Sequence, residues 1–284
     1  MPKYLKFDVL NEVQQSLFID RHCKKCGLTT STDLTGRPLQ RYKDTPHYLA
    51  ATSILRESDT DDKALAGCSV VDGLEAYREL LDTAGYFDYS AIMEAAVDAL
   101  TNEKVIRKRL SERIRHVIVD EYQDVNPIQE AIVWSLHELG ANICVVGDDD
   151  QTVYQSRGSD VQNILTFQDR YPKVTQLRLE ENFRSSQGIV ETARAFIQQN
   201  TERLPKKMQP TNAQSDEPGD MVALSFPTPD AEAAHIVQSL QSLRGVAIKD
   251  GDKDRGISWS DMAILLRSVR AILSHLGNRC IFHE

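Results

Sequence analysis

Residues 117–129 read VIVDEYQDVNPIQ, in which a short β-branched run ends in Asp120 and Glu121, and Gln123 and Asp124 follow before a proline. Charge does not stay buried without a partner, so two acids beside an apolar run call for a cation or a reacting group. In an open parallel sheet, ligands gather beyond the carboxyl ends of the strands. There, one carboxylate can hold Mg²⁺ while its neighbour orients or deprotonates a water that attacks a phosphate. A pair of surface charges is the plainer reading, and Asp-Glu after a strand is weakly specific by itself.

Residues 143–160, ICVVGDDDQTVYQSRGSD, repeat the arrangement: an apolar run, Gly147 for a tight turn, then acids and Gln151. Adjacent aspartates on a loop point different ways, so for Asp149 and Asp150 a solvated, helix-capping turn competes with a metal cluster. Gln151 donates and accepts without charge, which suits a link between a phosphate or water and something that moves. Tyr154 and Arg157 lie just beyond; an aromatic next to an arginine suits stacking on a base, and a core tyrosine is the ordinary alternative. Residues 177–190, LRLEENFRSSQGIV, place Arg184 between an apolar run and a helical period. A guanidinium there can reach a phosphate under attack or form a surface ion pair.

Whatever positions these residues must be an alternating fold. Up to about residue 115 the pattern is helical, as in VVDGLEAYRELLDT (70–83) and YSAIMEAAVDALTNEKVIRKRL (89–110), with no convincing strand. From His116 onward, HVIVDE, NICVVGD, VTQLRL, MVALSF and MAILLR are short apolar runs of strand length. Helical stretches such as PIQEAIVWSLHELG (127–140) and QGIVETARAFIQQN (187–200) separate them. This alternation implies an α/β protein with parallel sheet covered on both faces. Two polar breaks, residues 205–220 and KDGDKDRG (249–256), read as loops.

Composition excludes several classes. The chain has 284 residues, 41% hydrophobic and 26% charged, enough for about two ordinary cores. No apolar run approaches the ~20 residues of a membrane span, and the first residues lack the apolar block of a signal peptide. A cytoplasmic protein is the expectation. The five cysteines point to reduced thiols. The net charge of −9 does not favour nucleic acid, so any such site must be local. The basic run KVIRKRLSERIRH (104–116) either lines a cleft or is a solvated face. HCKKCG (22–27) offers Cys23 and Cys26, half of the four ligands that zinc needs.

Together the three acidic and basic stretches resemble motifs II, III and IV of the UvrD/Rep-type superfamily 1 DNA helicases, in the family's order: VIVDEYQDVNPIQ, VVGDDDQTVYQSRGSD and LEENFRSS. MAILLRS (262–268) is similar to a strand of the family's second motor domain, and YFDYSAI (86–92) to a short element ahead of motif II. The resemblance implies RecA-like, P-loop NTPase-type parallel sheets with a helical insertion domain, incomplete at both ends. Residues 1–115 would be the insertion, 116–178 the latter part of the first motor domain, and 179–284 the start of a truncated second. It further implies that Asp120 holds Mg²⁺, Glu121 is the general base for ATP hydrolysis, and Gln151 senses the γ-phosphate. By the same resemblance Phe183 stacks on adenine, Arg184 meets the γ-phosphate, and Tyr154 stacks on single-stranded DNA. The cofactors would be ATP and Mg²⁺, and the partner single-stranded DNA or DNA with a 3′ single-stranded tail, tracked from 3′ to 5′.

The chain also departs from that pattern. Ser156 stands where the family commonly has Trp, and a hydroxyl has no face for a base that would gain ~1–3 kcal/mol by stacking. None of the fourteen glycines is followed by Lys, so G-x-x-x-x-G-K-[ST], the loop that cradles phosphates, is missing. The family's C-terminal motifs, including a second arginine, are missing as well. A chain with the middle of the machine and neither outer wall of the nucleotide site is expected to hydrolyse ATP negligibly by itself. A competing expectation is a non-catalytic remnant that acts at most as a DNA-binding or interaction module.

Overall fold

The computed structural model describes residues 6–33, 35–58, 60, 65, 67–152, 161–211, 217, 219–250 and 253–266. The chain divides into two compact units, the first formed by residues 1–181 and 193–209, the second by 182–192 and 210–284.

The first unit opens with strand β1 (Asp8–Val9) and helices α1 (Glu12–Arg21), α2 (Thr45–Glu57) and α3 (Ser69–Ala84). Asn11 caps α1 in a reciprocal box with Gln14, which satisfies two of the amides a helix start leaves unpaired. Ile19, Leu28, Tyr48, Leu74, Tyr77 and Leu81 fill the core between these helices. The turn at Gly27 crosses α3 at Gly73 so closely that a Cβ on Gly27 would lie 2.2 Å from the Gly73 Cα. Strand β2 (Tyr86–Phe87) pairs in parallel with β1, so a short strand does occur in the stretch expected to be purely helical.

Helices α4 (Tyr89–Asn102) and α5 (Lys104–Arg113) occupy the long helical period. They are separate because Glu103 is extended at φ −91°, ψ 95° and its N–H closes α4 on the Ala99 carbonyl. The buried centre of this region is ionic. The Arg56 guanidinium donates to both Asp88 oxygens at 3.0 and 2.8 Å and to Glu94 at 2.6 Å. Asp88 also caps α4 through the Ala91 N–H and accepts from the Tyr77 hydroxyl. Asp88 is the acid of YFDYSAI, whose part in the fold is thereby accounted for.

Strand β3 (His116–Val119), helix α6 (Pro127–Glu138) and strand β4 (Asn142–Val145) form a parallel crossover, with His116 opposite Asn142 and Val119 opposite Val145. Val119, Ile143 and Val145 pack on a cluster of Tyr122, Val125, Phe167 and Tyr171. Phe167 begins α8 (Phe167–Arg170), which follows the short α7 (Gln162–Leu165). The opposite face is open: Ile118 is 75% exposed, and Cys144 is exposed too. The expectation of a strand buried on both faces therefore fails, since each sheet among the described residues has two strands and the helices here cover one side.

VTQLRL, MVALSF and the described part of MAILLR are not strands. A strand exists through its partner's hydrogen bonds, and these segments have no such ladder among the described residues. Leu179 is 86% and Leu265 93% exposed as a result. Short strands β5 (Glu181–Asn182) and β6 (Gln209–Pro210) and helix α9 (Gln187–Ile197) lie where the sequence passes between the units.

In the second unit, α10 (Pro229–Leu243) starts on a Thr228 cap with Pro229 in its first turn. Strands β7 (Ala247–Asp250) and β8 (Lys253–Gly256) then form an antiparallel hairpin. KDGDKDRG was expected to be a loop. Its outer residues pair instead, with Asp250 opposite Lys253 and Ala247 opposite Gly256, because backbone ladder bonds form whatever the charge of the side chains.

Candidate functional site

The site grows from the ends of β3 and β4. Beyond β3 the chain stays beside β4, with the Val146 N–H donating to the Val119 carbonyl at 2.8 Å and the Tyr122 N–H to the Val146 carbonyl at 2.9 Å. Asp120 is exposed, and its Oδ1 accepts the Glu121 N–H at 3.0 Å. Glu121 adopts a left-handed backbone, φ 51° and ψ 42°. A non-glycine residue there carries ~1–2 kcal/mol of strain, and such strain collects at functional positions. A single turn of 3₁₀ helix, Tyr122–Asp124, follows and leads to Asn126, which caps α6 in a reciprocal box with Gln129. Glu57 of α2 holds Asn126 in turn, accepting from its amide at 2.9 Å.

Gln123 ties the two strand ends together. It is fully buried, donates to Glu121 Oε2 at 2.7 Å and accepts the Asp148 N–H at 3.0 Å. Gly147 makes room for it, because a Cβ there would lie 2.7 Å from Gln123 Oε1 and 2.9 Å from Ile164 Cδ1. Gly147 is not among the residues with positive φ, so close approach, rather than the tight turn expected, is what requires glycine. Tyr122 is anchored below, its hydroxyl donating to buried Glu130, which also accepts from Tyr171 and pairs with Arg170.

Asp124 faces the same region. Its Oδ1 is enclosed and has no hydrogen-bond partner among the described residues. Burial, helped by the nearby charge of Glu121, pushes this carboxyl above the ordinary range. Asp120 presents an exposed carboxylate at the strand end, a hard oxygen donor of the kind that Mg²⁺ takes. The described residues bring no lysine-bearing glycine loop to it.

The second acidic stretch is organised differently from either expectation. Asp148 caps the 3₁₀ turn Asp149–Gln151 by accepting the Asp150 N–H at 3.2 Å. Asp149 and Asp150 are paired with cations rather than solvated. Lys206 Nζ reaches Asp148, Asp149 at 2.6 Å and Asp150 at 3.1 Å. The Arg203 guanidinium takes both oxygens of Asp150, and the Leu204 N–H donates to Asp149 Oδ2 at 2.8 Å. Burial pushes the Asp148 and Asp150 carboxyls up, but hydrogen bonds and charge from Lys206, Gln151 and Arg203 outweigh it and hold both below the ordinary range. Lys206 is raised by the same contacts, against its own burial. Gln151 is exposed, and its amide donates to Asp148 Oδ2 at 2.7 Å.

In the second unit Asn182 Oδ1 accepts the N–H groups of Arg184 at 3.0 Å and Ser185 at 2.8 Å, a local turn that fixes the backbone of LEENFRSS. Phe183 is 64% exposed on it, and Arg184 is exposed without an ion pair to a described residue. Tyr154, Ser156 and Arg157 lie outside the described residues.

The structure thus brings Asp120 and Glu121 together and joins them to the Gln151 turn through Gln123. Sequence reasoning did not assign Gln123, Lys206 or Arg203 a role. Gln123 stands inside the quoted stretch and was open to discovery. Lys206 lies 58 residues from Asp148, with no pattern that links them. Helix α5 has no buried residue. Cys26 is fully buried, its thiol set against the Ile19 carbonyl, and burial raises its pKa, which opposes the thiolate that zinc requires. Among the described residues no group of three or more His, Cys, Asp or Glu could hold a metal ion.

The family model of the UvrD/REP helicase N-terminal domain matches residues 7–172, and that of the UvrD-like helicase C-terminal domain matches residues 177–278. The chain is 32% identical over 200 residues to the ATP-dependent DNA helicase PcrA of Leuconostoc citreum, covering 70% of this chain and 25% of that protein. It is 34% identical over 194 residues to DNA helicase II of Escherichia coli (strain K12), covering 68% of this chain and 25% of that protein. The chain spans about a quarter of the length of the curated relatives it matches.

Proposed function

The chain belongs to the UvrD/Rep-type helicase family, and from that premise we propose that it is the central part of an ATP-dependent DNA helicase or translocase. Its sheets would be RecA-like, with residues 1–115 as a helical insertion, 116–178 as the latter part of the first motor domain, and 179–284 as the start of a second. The track would be single-stranded DNA, or DNA with a 3′ single-stranded tail, followed from 3′ to 5′ in the cytoplasm. No helix among the described residues is long and apolar enough to cross a membrane.

One observation carries the reading: buried Gln123 holds Glu121 with its amide and the Asp148 N–H with its carbonyl. Two strand ends that must respond to one phosphate are thereby mechanically joined. Asp120 would hold Mg²⁺. Glu121 would take the proton of the attacking water, with Gln123 fixing which carboxylate oxygen points outward. Gln151 would stand against the γ-phosphate, Arg184 would meet the same group, and Phe183 would stack on the adenine. Tyr154 and Arg157 would grip the strand. ATP with Mg²⁺ supplies the free energy that moves such a motor.

The absence of G-K-[ST] from the sequence favours a second reading of the chain by itself, a DNA-binding or interaction module without hydrolysis. Single-strand-stimulated ATP hydrolysis tests both. The chain alone should stay at background, because phosphate binding and charge stabilisation are lost with the loop. Where adjoining coding sequence supplies the loop, the extended protein should hydrolyse ATP, and Glu121→Gln should lower the rate by about 10²–10⁴-fold. Stimulated hydrolysis by the chain alone, abolished by Glu121→Gln, would overturn the expectation of inactivity. An extended protein indifferent to Glu121→Gln would overturn the site.

A further inference from the structure

Three carboxylates on consecutive residues repel one another, and Asp148, Asp149 and Asp150 are drawn in toward one point instead of spreading into water. What gathers them is Lys206, from the segment after α9. An ammonium has three protons to donate, and each of the three aspartates takes a contact from it. Its side chain is largely buried by the arrangement. Arg203 and the Leu204 N–H close the same segment onto Asp150 and Asp149.

The two oxygens of Asp148 are used differently. Oδ1 faces Lys206 and accepts the Asp150 N–H, while Oδ2 accepts the Gln151 amide at 2.7 Å. Gln151 is exposed and, among the described residues, its amide is held by Asp148 Oδ2, so its aim depends on where that oxygen stands. Asp148 in turn is oriented by the cation on its other oxygen.

We propose that Lys206 is a positioning residue for Gln151, acting through Asp148, so that the aim of Gln151 is tied to the segment at residues 203–206. This rests on the reading of Gln151 as the group that meets the phosphate. Neutralising Lys206 leaves three adjacent acids without their shared cation, releases Asp148 to turn outward, and frees the Gln151 amide.

The test reads the side-chain amide of Gln151 in the full chain by NMR, without nucleotide, its signal identified by its loss in Gln151→Glu. In Lys206→Met this signal should move to the position of a free glutamine in water, and its protons should exchange about tenfold faster, the loss of one charge-assisted hydrogen bond. Lys206→Arg, which keeps the charge, should restore at least part of both. A folded Lys206→Met whose Gln151 amide is unmoved would overturn the proposal, as would an equal change in Lys206→Arg. Should Lys206→Met fail to fold, Lys206→Gln carries the same comparison; failure of both to fold makes Lys206 a stability residue and overturns the proposal too. Because nucleotide is absent, failure here faults the role of Lys206 and not the reading of the site, which ATP hydrolysis tests separately.

Discussion

Gly147 and Gln123 are in such close contact that a side chain at position 147 would force the glutamine to shift: an added Cβ would meet Gln123 Oε1 at 2.7 Å and the Gln123 backbone nitrogen at 3.2 Å. The glycine serves the glutamine, and the glutamine serves Glu121.

Gly147→Ala should therefore destabilise the first unit by ~1–3 kcal/mol, the usual cost of forcing extra volume into a packed site. Denaturant unfolding measures it. In a Gln123→Ala background the same change should cost less, since the clashing carbonyl is gone; equal costs in the two backgrounds would show that the two residues do not couple.

Arg56 lies between Asp88 and Glu94 with its side chain 2% exposed. Removing one member of a buried ion pair leaves an uncompensated charge and typically costs ~3–5 kcal/mol. Arg56→Met should show a loss of that size by urea unfolding, and Asp88→Asn, which keeps an N-cap oxygen for α4 and removes only the charge, a comparable one. A loss under about 1 kcal/mol in Arg56→Met would mean that water reaches the group.

The contacts of the 203–206 segment carry a pH window with a definite sign. The Asp148 and Asp150 carboxyls are lowered in the folded chain, so their stabilisation is complete above the unfolded value near ~3.9 and is lost as pH falls through the folded ones. Lys206 is raised, so its share is complete below ~10.4 and is lost as pH rises through its folded value. The segment should hold from roughly pH 4 to 10. The Leu204 amide resonance, which reports its bond to Asp149, should stay constant between these limits and move on either side. Movement that begins near neutrality would contradict the arrangement.

The bare side of β3 should make the isolated chain prone to self-association. Ile118 on β3 is 75% exposed, Leu179 in the segment after α8 is 86% exposed, and large apolar side chains left in water favour association. Ile118→Thr with Leu179→Ser should raise the concentration at which light scattering first increases, while stability changes by no more than ~0.5 kcal/mol per substitution. Destabilisation well beyond that would show the two side chains to be packed.

Much of the first unit was legible because its signals are local. Apolar spacing marked α3, Pro127 after Asn126 marked the start of α6, and β-branched runs marked β3 and β4. The acids Asp120 and Glu121 stand at a strand end as their position in VIVDE implied. What failed depends on partners. VTQLRL and MVALSF have strand composition but no ladder among the described residues, and the break at Glu103 is set by one residue's backbone. The hairpin of β7 and β8 was lost to the weight of its charges. Lys206 could not be found from sequence, because nothing in a lysine 58 residues away says which acids it will meet.

The left-handed backbone at Glu121 has an evolutionary consequence. Glycine or asparagine would sit there with less strain, so a copy of this gene released from selection on its chemistry has a downhill path away from glutamate. Position 121 can thus serve as a gauge across sister genes. Drift to glycine or asparagine would mark lineages in which the site has fallen silent, and glutamate held against that slope would mark those in which the carboxylate is still in use.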